Sequence, residues 1–122
     1  MNVMNILAEW LQQALDKVLG SDVTVFQLAS KTEVQGAYAA FGGMEVRWER
    51  TKDGSYPASV SASVSIVDES LTTVDMLADA VEAMLLDSTV PQLGDVCVDS
   101  RRSDYDAATG EYIEEIKLTI YL

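Results

Sequence analysis

The sequence predicts an α+β fold: a mostly antiparallel four-stranded sheet with two helices packed on one face, in the order α-β-β-α-β-β. Three observations lead there. Two stretches repeat apolar residues at three- and four-residue intervals, as amphipathic helices do. Two others alternate apolar and polar residues, as half-buried strands do. Turn residues, Asp53-Gly54 in one case and Asp106 to Gly110 in the other, divide the alternating stretches into hairpins.

The first helix is expected over residues 3–20. Ile6, Leu7, Trp10, Leu11, Ala14, Leu15, Val18 and Leu19 form one stripe, Asn2 or Asn5 is placed to cap its start, and Gly20 suits its end. Its polar side carries Glu9 and Asp16 against Lys17 alone, which favours packing on a core over lying on a membrane. Residues 21–36 read as a connection, with Val23, Val25 and Phe26 compatible with a short strand or a helical turn.

A first hairpin is expected over 37–67. Its leading strand is interrupted by Gly42-Gly43, the mark of a bulge or bend, and resumes with Met44, Val46 and Trp48 alternating with Glu45, Arg47 and Glu49. The returning strand sets Val60, Ala62, Val64 and Ile66 on one face and Ser61, Ser63 and Ser65 on the other. The second helix, over 71–88, has Ser70 or Thr72 as its cap and buries Val74, Leu77, Ala78, Val81, Met84 and Leu85. Its outer side shows Asp75, Asp79 and Glu82, spaced so that like charges repel. A second hairpin, over 95–122, ends with Ile116, Leu118, Ile120 and Leu122 in alternation. All of this fits one domain, residues 1–122, a length that can bury a core without covalent staples.

The composition excludes several kinds of chemistry. The chain has no histidine and one cysteine, Cys97, so imidazole-based triads, zinc ribbons and redox cysteine pairs are ruled out. Asp104, Asp106, Gly110 and Glu115 imitate a calcium loop only in outline, because Ala108 falls at a ligand position and the glycine is one place late. No enzyme activity, cofactor or metal is expected. The 20 acidic against 8 basic residues give a formal charge of −12, which opposes general binding to nucleic acid. No apolar run approaches the ~20 residues of a membrane span.

The basic residues fall in two groups, Arg47, Arg50 and Lys52 near the first hairpin and Arg101 and Arg102 near the second. They are candidates for an interface between copies. Asp75, Asp79 and Glu82 are candidates for an acidic lumen or partner surface. The acidic stripe also permits another reading, a module that imitates DNA or occupies a basic protein.

From Ala37 onward the chain resembles the tail-terminator, or tail-completion, family of long-tailed bacteriophages and prophages. The residues that carry the resemblance are Tyr38 leading into a strand, the Thr51-Lys52-Asp53-Gly54 turn and the alternating strand from Val60 to Val67. Asp68 to Ser70 then open a helix that continues Leu77-Ala78-Asp79-Ala80-Val81. A short strand after Gly94, the acidic loop from Asp104 to Glu111 and a final apolar strand follow. The family's early proline-ended loop has no counterpart around Ser30 to Gly36. The resemblance implies a homo-oligomeric ring, commonly of six copies, that caps the tail tube and joins it to the head. Its partners would be tail-tube and head-completion proteins, with DNA passing through a lumen without being bound. The location implied is the virion tail, and the bacterial host cytoplasm during assembly.

Overall fold

The structure, a computed structural model, describes residues 2–28 and 36–122. Helix α1 spans Val3–Leu19. Strands β1 (Thr24–Gln27), β2 (Tyr38–Thr51) and β3 (Gly54–Asp68) follow, then helix α2 (Leu71–Leu86). Strands β4 (Thr89–Val90), β5 (Gly94–Asp106) and β6 (Glu111–Tyr121) complete the order.

The expected four-stranded antiparallel sheet is corrected by the structure: the sheet has six strands, is mixed and curled, and runs β1-β2-β3-β6-β5-β4. The four long strands form its middle, and a short strand has been added at each side. β1 lies in the stretch read as a connection and pairs parallel with β2, Thr24 to Gln27 against Tyr38 to Phe41. β4 covers only the first two residues of β5. Four- and two-residue strands are too short to show an alternation, and a parallel partner is not announced by any turn. The rest of the expected connection, residues 29–35, lies outside the described residues.

Local chemistry explains the element ends. Asn2 caps α1 by accepting hydrogen bonds at Oδ1 from the backbone N–H of Met4 (3.0 Å) and Asn5 (3.2 Å). Ser70 caps α2 by accepting from the N–H of Thr73. The β2–β3 ladder shifts register between Gly42 and Glu45, where Gly43 holds a φ of 61°. One extra residue is accommodated there, and a left-handed glycine makes this cheap.

The core is one cluster between the helices and one face of the sheet. Leu7, Leu11 and Leu15 of α1 and Val74, Ala78, Val81 and Leu85 of α2 are fully buried. They meet Phe41, Val60, Val64, Ile66, Ile116, Leu118 and Ile120 from the long strands. Each large side chain in this set contributes about 2 kcal/mol through removal from water. Ser61, Ser63 and Ser65 alternate with the buried residues of β3 and therefore lie on the opposite, uncovered face. Both faces of the central sheet are thereby assigned.

Candidate functional site

Two surfaces carry the polar side chains singled out in the sequence. The first is where α2 crosses β5 and β6. Asp79 and Glu82, one turn apart, lean toward the strands and meet Arg101 of β5. Arg101 Nη1 donates to Asp79 Oδ1 at 2.6 Å and Glu82 Oε2 at 2.8 Å, and Nη2 donates to Glu114 Oε2 at 2.7 Å. Glu114 also accepts from the Ser103 hydroxyl at 2.7 Å. Its side chain is only 5% exposed, so this carboxyl is held against the core by the Arg101 guanidinium and the Ser103 hydroxyl, with the Asp75 carboxyl beside it.

The electrostatics follow from this geometry. Burial alone would lower the pKa of Arg101, but hydrogen bonds to Glu114, Asp79 and Glu82 outweigh it and raise the pKa above the ordinary guanidinium value. Asp75, one helical turn before Asp79, has its carboxyl raised above the usual range. Loss of solvent is the main cause, followed by the charge of Glu114 and a hydrogen bond with it, while Arg101 opposes the shift. Arg101 therefore serves as counter-ion to most of the helix stripe.

The second surface is the open face of the sheet. A trough of about 600 Å³ lies there, lined by Ser59, Ser61 and Ser63 together with Arg47, Lys117 and Asp99. The Thr119 hydroxyl donates to Asp99 across β5 and β6. Small hydroxyls leave the backbone accessible, and charges of both signs rim it.

The basic candidates are dispersed between these surfaces. Arg47 lies on the open face and pairs with Glu45 of its own strand at 3.2 Å, both side chains being well exposed. Arg50 and Lys52 sit at the exposed far end of β2 and in the turn that follows it. Arg101 turns to the helix side and Arg102, opposite Glu115, to the open side. The two groups occupy β2 and β5, separated by β3 and β6, so they lie toward opposite sides of the sheet. Glu114 and Ser103 were not singled out in the sequence. A signal for Glu114 existed: it falls in step with Ile116, Leu118 and Ile120, a carboxylate at an apolar-face position.

Among the described residues no group of three or more potential ligands is arranged to hold a metal ion, and no helix is long and apolar enough to cross a membrane. The arrangement offers interaction surfaces, with Trp48 of β2 (63% exposed) as its largest uncovered side chain.

No protein-family model matches the sequence, and no curated protein does either. Among solved structures the fold is similar to that of a chain in the virion of a native gene transfer agent (GTA) particle. The TM-score is 0.70 at 13% sequence identity, and the likeness covers 95% of this chain and 92% of that one. At that identity what the two share is the fold. It extends over nearly the whole of both chains.

Proposed function

We propose that this chain is a structural part of a phage-like virion, acting as a tail terminator: a ring that caps the completed tail tube and joins it to the head. The observation that carries the reading is the end-to-end likeness to a chain of a GTA virion particle. The likeness runs along both chains, with neither much longer than the other, and supports a comparable assembly role as an analogy of fold. The resemblance in element order from Ala37 onward supports the finer assignment.

The charge of the chain suits that role. At −12 a ring lumen would repel DNA phosphates, so a genome could pass without adhering. The tail-tube and head-completion proteins are the partners, and assembly takes place in the bacterial host cytoplasm before the virion tail is complete. The reading as an acidic DNA mimic is weakened at this site, because Asp79 and Glu82 both already share Arg101 within the chain.

The test is assembly itself. Purified protein, alone and mixed with tail tubes, is followed by size-exclusion with light scattering and by negative-stain electron microscopy. Closed rings, free or on tube ends, are expected. A chain that stays monomeric under both conditions, at every concentration tried, removes the reading.

A further inference from the structure

Both sides of the sheet end in strands whose outer edges are only partly covered. β1 pairs with β2 from Tyr38 to Phe41, and among the described residues no strand lies along the outer edge of β2, the side away from β3, beyond that point. On the other side β4 covers Gly94 and Asp95, and among the described residues no strand lies along the outer edge of β5 from Val96 to Asp106. Such edges present rows of backbone N–H and C=O groups that can template pairing with another chain. β2 and β5 are separated by three antiparallel steps, so they run in opposite directions. Two copies set side by side in the same orientation would therefore continue an antiparallel sheet.

We propose that copies of this chain join head to tail through these edges, residues 45–50 of β2 in one copy pairing antiparallel with residues 101–106 of β5 in the next. The proposal rests on the ring reading and gives that ring its interface. A contact between two different patches on one chain is heterologous, the type that generates rings when the rotation closes.

Charge selects the register. Val46 lies opposite Val60 on the helix side of the sheet and Arg47 opposite Ser59 on the open side. On β5, Arg101 faces the helices and Arg102 and Asp104 the open side. Keeping the faces matched allows only shifts of two residues. The register above sets Arg47 against Asp104 and Glu49 against Arg102. Glu45 meets Asp106 at the end of the ladder, a like-charge contact that Arg47, beside Glu45, offsets only in part. Arg50 meets Arg101, whose charge is taken up by three carboxylates. A slip in one direction leaves Arg47 against an acid, Asp106, but turns Glu49 from Arg102 to Asp104, and a slip in the other sets Arg47 against Arg102 and Glu45 against Asp104. Either slip leaves fewer opposite-charge pairs on the open face than the two of the proposed register. The occupant is a second copy because the same chain supplies both edges and both signs.

The experiment introduces Arg47→Cys and Asp104→Cys together in a Cys97→Ser background, followed by mild oxidation and denaturing electrophoresis. A disulfide-linked ladder is expected from the double variant and none from either single cysteine, since like positions do not face each other. In parallel, Arg47→Asp alone should weaken self-association about tenfold, and Arg47→Asp with Asp104→Arg should restore it. A closed oligomer in light scattering with no ladder, or no rescue by the double swap, overturns the edge pairing and leaves the ring reading standing. A chain monomeric both alone and with tail tubes overturns both.

Discussion

Replacing Arg101 by Met keeps an aliphatic stem of similar length and removes the charge that ties α2 to the outer strands. Three charge-assisted hydrogen bonds disappear, and their contributions are unequal. Asp79 is 72% exposed in its side chain, so its bond to Arg101 is screened and contributes about 0–1 kcal/mol. Glu82, 35% exposed, contributes little more. Glu114 decides the outcome, because at 5% exposure it would be left against the core without its cation, beside the Ser103 hydroxyl and the Asp75 carboxyl. Removing one partner of a buried pair costs ~3–5 kcal/mol, and the partial exposure of Arg101 points to the lower end, about 3 kcal/mol. For a chain of this length that corresponds to a fall in Tm of about 10 °C.

The measurement is urea unfolding followed by circular dichroism, with a thermal melt on the same samples. Arg101→Met combined with Glu114→Leu removes both charges and places an apolar side chain in step with Ile116 and Leu118. It should lie within about 1 kcal/mol of the native chain, because desolvated ion pairs roughly break even against apolar replacements. A single variant that loses less than about 1 kcal/mol, or a double variant as unstable as the single, would refute the idea that an uncompensated Glu114 is the source of the cost.

Two further perturbations test other parts of the fold. The raised carboxyl of Asp75 means that its ionised form is disfavoured in the folded chain, so its cost is present above the folded pKa and vanishes below the unfolded one. Asp75→Asn should therefore raise Tm at neutral pH, with the gain fading as pH falls through the carboxylate range; a gain that persists in acid would point elsewhere. Gly43→Val places a β-branched residue at a φ of 61° beside the Ser63 hydroxyl and should cost ~1–2 kcal/mol in urea unfolding, whereas an unchanged midpoint would mean that the bulge can relax.

The parts of the fold that can be read in the sequence are those with a period of their own. The leucines of α1 recur every four residues, and the serines of β3 every two, over stretches long enough to be unambiguous. β1 is legible only in outline: Val23, Val25 and Phe26 fit a short strand or a helical turn, and of these Val25 and Phe26 lie in the strand. Its partner, Tyr38 to Phe41, was already accounted for by the hairpin with β3, so nothing local pointed to a second neighbour. β4 has two residues and no pattern at all. The Arg101 cluster is hidden for another reason: Asp79 and Arg101 are 22 residues apart and meet only because α2 packs across β5 and β6. The stripe Asp75, Asp79 and Glu82 reads as uncompensated along the helix, and its counter-ion arrives from the sheet.

That counter-ion also clarifies how a chain of charge −12 could associate with itself. Long edges of a β-sheet are hazards for indiscriminate pairing, and charged side chains along them are one way such pairing is suppressed. Here the edges of β2 and β5 both carry charges of either sign, Glu45, Arg47, Glu49 and Arg50 on one, Arg102, Asp104 and Asp106 on the other. A single-sign edge would repel every copy equally, while mixed signs make the registers unequal, and the proposed one sets two opposite-charge pairs against each other on the open face. Drawing Arg101 inward sharpens this selectivity, since its charge is spent on Asp79, Glu82 and Glu114 and does not compete with Arg102 at the rim. Net repulsion between copies is long-range and screened within about 10 Å at 0.1 M salt, whereas the cross-edge pairs act at contact. The fold can therefore keep free copies apart and still specify how two of them meet.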